Sequence, residues 1–309
     1  MAAPVVVLAG GTGGAKLARG MLDEAGGDLV VIANTGDDTE IHGGYVSPDP
    51  DLVTFWLADR IDARGWGLRD DTFTVMEELR ALGEEVWFSL GDRDLALCLQ
   101  RARRIAAGMR PTEAADRLRR AFGVPAAVLP MSDSPVRTSV LARGSWNEFQ
   151  AFMIRERAAG PVDGVEFRGA ADAAPTPEVL AALAEASAVI VGPSNPVISI
   201  GPMLAVPGLR AALAATPAPV VAVSPLVEGA VVKGPTAAFM AWAGHPLTSD
   251  GVAAAYAGLL DGLVADARAE SVPTLETDVR LDDAAARRRV AEETLRFALA
   301  LGRSGEGLH

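Results

Sequence analysis

The feature that most constrains this chain is an apolar run near its start that ends in glycines and a lysine. Residues 5–16 read VVVLAGGTGGAK. A continuous apolar run is typical of a parallel strand covered on both faces, and Leu17 and Met21 then recur at helical spacing. The stretch therefore predicts a buried first strand, a tight turn and the start of a helix.

The turn has the chemistry of a phosphate-binding loop. Glycines let the backbone approach a ligand closely, and N–H groups at the start of a helix favour an anion. The spacing matches neither the dinucleotide fingerprint nor the P-loop, and a glycine-rich turn that binds nothing is the plain alternative. We predict that small and cationic residues of this turn bind phosphate: Gly11, Thr12, Gly13, Gly14 and Lys16.

Composition narrows the possible partners and location. The chain has 309 residues, enough for one large α/β domain with a sizeable core. Its 40 acidic and 28 basic side chains give a net charge of −12, which argues against nucleic-acid binding driven by phosphate neutralisation. The single cysteine, Cys98, cannot form an internal disulfide, and no secretory signal pattern opens the chain. We therefore expect a cytoplasmic protein.

A long uncharged stretch at 186–209 raises the question of a membrane span. Four prolines interrupt it, at Pro193, Pro196, Pro202 and Pro207. A spanning helix needs about 20 apolar residues with its backbone groups satisfied internally. The stretch is therefore interpreted as buried strand and loop, and no membrane partner is expected.

Polar residues follow the second predicted strand, DLVVIA at 28–33. Ligands bind at the carboxyl ends of strands in open parallel sheets, so Asn34 in the NTGDD turn is predicted to face a nucleotide. Hard oxygen ligands of this turn and of the SPDPD segment that follows suit a magnesium ion carried on a substrate phosphate: Asp37, Asp38, Asp49 and Asp51. A helix cap or turn is the commoner role for Asp37 or Asp49. The predicted metal ligands are therefore Asp38 and Asp51.

A compact charged segment, LGDRD at 90–94, separates two helical patterns. Arg93 lies between two aspartates there. It is equally compatible with a surface ion pair and with a planar fork of donors that holds a phosphate or a polar ring edge. The basic amphipathic pattern of 101–122 predicts helix with a solvated face.

Two later loops repeat the pattern of small and polar residues after an apolar strand. Strand 188–191 leads into GPSNPVISIGP, where Ser194 and Asn195 can present fixed donors to a nucleotide, although a rigid connection is the alternative. Strand 220–223 is followed by Lys233 in a second glycine-flanked loop. Lys16 and Lys233 are the only lysines of the chain, and we predict that both contact phosphate.

These patterns predict an α/β three-layer sandwich with a Rossmann-like, mostly parallel sheet and a smaller α+β insertion lobe. The whole of 1–309 is predicted to be one domain, with the core at about 1–60 and 180–300 and the lobe at about 61–175. Residues 52–61 and 283–301 are predicted helices, and the chain after Lys233 is expected to be mostly helical. In the lobe, 146–154 alternates as an exposed strand does, and 162–167 is predicted to pair with it.

An ordered set of motifs resembles the 2-phospho-L-lactate transferase family. The matching stretches span about 5–266 and read GGTGGAKLARG, NTGDD, SPDPDLVTFWLADRID, DTF, LGDRD, LPMSDSPVRT, VGPSNPVISIGP, AVSPLVEG and KGP. Many motifs in one order are far more specific than a single glycine loop.

The resemblance implies a magnesium-dependent transfer of a phospholactyl or phosphoenolpyruvyl group in the biosynthesis of the deazaflavin coenzyme F-420. The donor would be a guanosine diphosphate conjugate of lactate or enolpyruvate, the acceptor the terminal hydroxyl of the deazaflavin riboside Fo, and the leaving group GMP. Residues Gly11–Lys16 would hold the donor phosphates, and the GPSNP loop the nucleotide. The family also implies a homodimer.

Two residues match positions that the family uses at the deazaflavin, Asp51 in SPDPD and Arg93 in GDRD. Asp51 either ligates magnesium or accepts the proton of the attacking hydroxyl. On this basis Asp51→Asn is expected to leave the fold intact and abolish most turnover. The residues do not distinguish a lactyl from an enolpyruvyl donor.

Two other functions compete with this interpretation. A nucleotide-sugar-binding regulator of the same superfamily would share the glycine loop but has no acceptor for SPDPD and GDRD to face. A nicotinamide-dependent dehydrogenase is disfavoured by the failed fingerprint and by Asn34, which stands where an acidic residue would close the second strand.

Overall fold

The computed structural model of the chain describes residues 3–231 and 234–305. The strands are β1 Val5–Ala9, β2 Leu29–Ala33, β3 Thr39–Ile41, β4 Gly44–Val46, β5 Ala127–Pro130, β6 Arg137–Ala142, β7 Ser145–Glu148, β8 Gly164–Arg168, β9 Ala188–Val191, β10 Val220–Val223, β11 Leu226–Val227, β12 Ala230–Val231, β13 Gly262–Ala265 and β14 Thr274–Glu276. The helices are α1 Gly11–Ala25, α2 Pro48–Leu57, α3 Thr74–Ala81, α4 Asp92–Ala106, α5 Pro111–Ala121, α6 Phe149–Ile154, α7 Pro177–Ala184, α8 Gly201–Ala205, α9 Leu209–Ala215, α10 Thr236–Trp242, α11 Ser249–Ala255 and α12 Ala284–Gly305.

Seven strands form a parallel central sheet in the order β14-β13-β10-β9-β1-β2-β5. The first strand lies inside the sheet, with Val7 paired to Val31 on one side and to Ile190 on the other. Such a strand is covered on both faces, which explains its unbroken apolar sequence. The predicted parallel sheet around the first strand is confirmed.

Helices cover both faces of the sheet and make the three layers. Alternate residues of β1 point to opposite faces. Val7 packs in the cluster that includes Leu17 of α1 and Val290 of α12, whereas Leu8 packs with Leu183 of α7 on the other face. The predicted α/β sandwich is therefore confirmed.

The smaller lobe is built from two separate parts. One is the antiparallel sheet β7-β6-β8, with α6 packed against β6. The other is a cluster that joins the β3–β4 hairpin to α3 and α4, with Cys98 and Met76 fully buried in it. Because β5 pairs with β2 in the central sheet, the range 61–175 does not form a continuous lobe.

The structure corrects the predicted strand at 146–154. Only β7 is strand, and α6 begins at Phe149. Phe149, Phe152 and Met153 also recur at helical spacing, so the two periods overlap there. The predicted partner is also wrong, because β8 pairs with β6 and not with β7.

Other boundaries differ from the sequence patterns. Helix α2 begins at Pro48, not at residue 52, and the predicted region 101–122 spans two helices, α4 and α5. The chain after 233 contributes two strands, β13 and β14, to the sheet edge. Among the described residues, no single helix is long and apolar enough to cross a membrane. Two helical segments, Pro196–Ala205 and Leu209–Ala215, reach that length and hydropathy only when taken together, and the angle between them is 91°.

Candidate functional site

A cleft of about 650 Å³ opens at the carboxyl edge of the central sheet. Its walls come from the start of α1, the loops after β2, β9 and β10, helix α6 and residues 279–282. This volume is within the range of small-molecule sites, about 300–1,000 Å³. Its place at the strand ends is where open parallel sheets bind ligands.

The glycine turn forms the first turn of α1, so the helix begins directly after β1. Gly11 has a φ of +64°, which favours glycine, and its N–H donates to Asp49 Oδ1 at 2.7 Å. The N-cap residue Gly10 makes no side-chain cap, and the first turn contains no acidic residue, although Asp49 of α2 accepts the Gly11 N–H. These are the conditions under which a helix start attracts an anion.

The glycines of this turn are also required by packing within the protein. A Cβ on Gly13 would lie 2.1 Å from the carbonyl oxygen of Pro193, and one on Gly14 would lie 2.7 Å from Ser194 Oγ. Gly10 donates its N–H to the same Ser194 hydroxyl at 3.2 Å. Ligand approach is therefore not the sole reason for the glycines: they bring the start of α1 against the loop after β9.

Two buried carboxylates at the cleft are held together by one amide. Asn34 Nδ2 donates to Asp37 Oδ1 at 3.1 Å and to Asp49 Oδ2 at 2.9 Å, while its Oδ1 accepts the Gly36 N–H at 2.8 Å. Burial raises the pKa of Asp49 to about 6. Burial, followed by the charge of Asp49, raises the pKa of Asp37 well above its usual range. A cation at the cleft would stabilise both carboxylates in the ionised form.

A second group of polar side chains lies on the other side of the turn after β2 and the start of α2. Asp38 accepts hydrogen bonds from Tyr45 Oη at 2.9 Å and Ser47 Oγ at 2.8 Å. Asp51 Oδ1 accepts from Arg101 Nη2, and Arg101 Nη1 donates to the Tyr45 carbonyl at 3.0 Å. We call this group, with its close neighbours, the Asp51 cluster: Asp38, Tyr45, Ser47, Asp51, Asp94, Cys98 and Arg101.

Burial dominates the electrostatics of this cluster. It raises the pKa of Asp38 to about 7, although the charge of Arg137 opposes the shift. It also raises the pKa of Asp51, against the opposing charge of Arg101. Asp94 has its pKa raised to about 7, first by burial and then by the negative charge of Asp51. The cluster therefore has more carboxylates than its buried cation neutralises.

The structure brings most of the predicted phosphate and nucleotide residues together. Those that line the cleft are Gly11, Thr12, Gly13, Lys16, Ser194 and Asn195. Gly14 is not in the lining but packs closely against Ser194. Asn34 is also behind the lining and donates hydrogen bonds to Asp37 and Asp49. Lys233 lies outside the described residues.

Two side chains of the loop after β9 are already engaged with the protein. Ser194 accepts the Gly10 N–H, and Asn195 Oδ1 accepts the N–H groups of Val197 and Ile198 at 2.9 and 3.2 Å. These bonds fix the loop against α1 and at the start of the helical turn that follows. The loop is therefore a rigid connection, and the same residues form a wall of the cleft.

The predicted catalytic pair is not part of the cleft lining. Asp51 belongs to the Asp51 cluster, and Arg93 is exposed in the first turn of α4, where its N–H donates to Asp71 Oδ1 at 2.9 Å. Asp94, the residue after Arg93, brings this part of α4 close to Asp51. Ligand atoms of Asp51, Asp94 and Cys98 lie within 4.8 Å of one another. Because Arg93 directly precedes Asp94 in α4, it lies at the edge of the Asp51 cluster.

Asp37 and Asp49 fit magnesium better than the predicted ligands Asp38 and Asp51. Both line the open cleft, whereas Asp38 and Asp51 lie outside its lining and Asp51 pairs with a guanidinium. Magnesium prefers one or two carboxylates together with water and substrate phosphates. The thiol of Cys98 makes the Asp51, Asp94 and Cys98 group unsuited to it.

The sequence pattern missed Arg101 as a site residue and placed it on a solvated face. It is only 6% exposed. Its spacing carries a signal, since Asp94, Cys98 and Arg101 are separated by four and three residues and share one helix face. Pro48 is a second signal, because proline favours the first helical position and so places Asp49 and Asp51 in one turn.

The chain is similar in sequence to a family of transferases. The family described as 2-phospho-L-lactate transferase CofD matches residues 5–296. The chain is 38% identical over 310 residues to phosphoenolpyruvate transferase from Kitasatospora aureofaciens, covering 93% of this chain and 97% of that protein. It is 39% identical over 268 residues to 2-phospho-L-lactate transferase from Methanosarcina mazei, covering 85% and 87%.

The fold is also similar to a solved structure. A protein member of the UPF0052 family from Bacillus halodurans superposes with a TM-score of 0.62, over 96% of this chain and 99% of that one. The sequence identity is 17%, so this likeness concerns the fold alone.

Proposed function

The chain belongs to the 2-phospho-L-lactate transferase family, and we propose that it transfers a phospholactyl or phosphoenolpyruvyl group in coenzyme F-420 biosynthesis. The donor is a guanosine diphosphate conjugate of lactate or enolpyruvate. The acceptor is the terminal hydroxyl of the deazaflavin riboside Fo. The products are the deazaflavin phosphodiester and GMP.

The donor binds in the cleft. Its diphosphate lies at the first turn of α1, where the N–H groups of the helix start and Lys16 favour an anion. The nucleoside extends along the sheet edge past Ser194 and Asn195 toward 279–282, which the cleft also includes. The apolar side chains of Val227, Val231 and Leu281 at that end suit a base and a sugar.

The acceptor approaches from the Asp51 cluster. Its hydroxyl oxygen attacks the phosphorus that carries the lactyl or enolpyruvyl group, and the bond from that phosphorus to the bridging oxygen breaks. GMP leaves with the bonding electron pair. Asp51 orients the hydroxyl and accepts its proton, and Arg93 contacts the polar edge of the deazaflavin. Positioning is the main protein contribution to such a transfer.

Magnesium would be held by Asp37 and Asp49. Bound there, it would neutralise charge on the donor phosphates. Asn34 fixes the two carboxylates through its amide, so their geometry does not depend on the substrate. The proposal also includes the homodimer that the family resemblance implies and the cytoplasmic location expected from the single cysteine and the N-terminal sequence.

One observation carries the proposal: the glycine turn, two buried aspartates and the loop after β9 converge on one cleft, with the Asp51 cluster directly behind the same segments. A regulator that only binds a nucleotide requires the cleft but gives no role to the Asp51 cluster.

A turnover assay tests the proposal. Purified protein is incubated with Fo, Mg²⁺ and each guanylated donor in turn, and GMP and the charged deazaflavin are separated by chromatography. We expect equimolar GMP and phosphodiester with at least one donor. Asp49→Asn should lose this activity, whereas Asp163→Asn, an exposed aspartate, should retain it. Nucleotide binding without product from either donor would overturn the proposal in favour of a regulator.

A further inference from the structure

We infer that Arg101 is a positioning residue for the acceptor, acting through Asp51. This inference rests on the proposed function, because it gives Asp51 the role of orienting the acceptor hydroxyl. Arg101 itself lies behind Asp51 and outside the cleft lining, so it acts by fixing another side chain and not by touching the donor.

Arg101 ties three separate segments together. It projects from α4, donates through Nη2 to Asp51 in the first turn of α2, and donates through Nη1 to the Tyr45 carbonyl in β4 at 3.0 Å. The side chains of Arg101 and Asp51 are only 7% and 6% exposed. The planar guanidinium has donors in a fixed fork, so both acceptors are held at set angles.

The Asp51 carboxylate is held by more than one donor. Arg101 bonds to Oδ1 of Asp51, and the backbone N–H of Ser47, next to the start of α2, also donates to the Asp51 carboxylate. The Asp94 carboxylate lies close by, since its ligand atom is within 4.8 Å of that of Asp51. Arg101 therefore offsets the repulsion of Asp94 and, together with the Ser47 N–H, fixes the orientation of the Asp51 carboxylate.

Stability alone does not explain this ion pair. Removing two charges from water is costly, and a buried pair can often be replaced by apolar side chains without loss of stability. What an apolar pair cannot supply is a carboxylate held in one orientation. The geometry of Arg101 thus matches a need for position more closely than a need for stability.

Three variants test the inference. Arg101→Met removes both donated bonds, Arg101→Lys keeps a charge without the planar fork, and Arg103→Met changes an exposed arginine of the same helix. Steady-state rates are measured with Fo and the guanylated donor varied separately, alongside the melting temperature. We expect Arg101→Met to lower kcat by about 100-fold, as a small misplacement of a reacting group does, with the donor KM unchanged.

Rescue separates a positioning role from a structural one. Arg101→Lys should recover part of kcat and should fold even where Arg101→Met does not, while Arg103→Met should match the wild type. If both Arg101 variants keep wild-type kcat and acceptor KM, or if they raise donor and acceptor KM equally, the inference is overturned. Failure of the wild type to form product with either donor would instead overturn the proposed function.

Discussion

The cleft and the Asp51 cluster both take carboxylates from the turn after β2 and from the start of α2, but the two regions differ in packing and charge. Asp49 and Asp51 lie in the first turn of α2, yet Asp49 accepts the Gly11 N–H at the cleft while Asp51 pairs with Arg101 behind it. Residues two apart on a helix are rotated by roughly 200°, so they face different partners. One helical turn thereby supplies a carboxylate to each region.

The turn after β2 is divided in the same way. Asp37 lines the cleft and shares Asn34 with Asp49, whereas Asp38 accepts the hydroxyls of Tyr45 and Ser47. The cleft carboxylates thus meet neutral donors and open space, and Asp51 meets a buried cation. This difference suggests separate tasks, a cation and phosphates on one side and an oriented acceptor on the other.

The largest expected effect follows from removing the charge of Asp51. Asp51→Asn should reduce turnover by about 1000-fold, because the group that accepts the hydroxyl proton is lost. It should also lower the free energy of unfolding by about 3 kcal/mol, since Arg101 is left as an unpaired buried charge. The sequence alone predicts an intact fold for this variant, and the ion pair changes that expectation. Assay and chemical denaturation measure the two effects, with Asp163→Asn as the control.

Gly13→Ala should disrupt the cleft and spare the cluster. The added Cβ would lie 2.1 Å from the Pro193 carbonyl oxygen, so the loop after β9 must move away from α1. Overpacking of this kind costs about 1–3 kcal/mol. Gly27→Ala, where a Cβ meets no atom of the described residues within 4 Å, is the matched control. Equal GDP affinity and melting temperature in the two variants would contradict the packing role of Gly13.

Magnesium should stabilise the wild type through the cleft. With GDP present and Mg²⁺ at 100 times its Kd, the free energy of unfolding should rise by about 2.7 kcal/mol. Asp49→Asn should lose most of this increase, because one of the two cleft carboxylates becomes neutral. Melting curves with Mg²⁺ and with a chelator measure the difference. An undiminished increase in Asp49→Asn would remove Asp49 from the metal site.

A smaller effect concerns the pH dependence of stability at Asp94. Burial and the charge of Asp51 raise its pKa to about 7, so the folded protein binds a proton that the unfolded chain releases near pH 4. The Asp94 contribution to stability therefore falls as the pH rises from about 4 to about 7. Asp94→Asn should be more stable than the wild type at about pH 8, on the order of 1 kcal/mol, and equally stable near pH 4. A difference independent of pH would contradict this assignment.

Local pattern predicts the sheet and the glycine turn well, because those depend on neighbours in sequence. The apolar run of β1 and the spacing of Leu17 and Met21 suffice for a strand and a helix. The overlap of strand and helix periods in 146–154 explains the error there. The order of the strands, including the position of β5 beside β2, depends on pairing between strands that are far apart in sequence, so local pattern does not predict it.

The division of the aspartates could not be predicted without the start of α2. A helix from residue 52 leaves Asp49 and Asp51 in a loop, where neither has a defined face, whereas a start at Pro48 separates them. The partner of Asp51 comes from a helix 50 residues away. Similarly, the contact of Gly13 with Pro193 is invisible until both loops are placed.

The most direct test of the two-region account is to measure binding of GDP with Mg²⁺ and of Fo, each by calorimetry, to the wild type, Asp49→Asn and Asp51→Asn. We expect Asp49→Asn to weaken GDP binding and to leave Fo binding intact, and Asp51→Asn to do the reverse. If Asp51→Asn binds Fo as tightly as the wild type, or if each variant weakens both ligands equally, the account is contradicted.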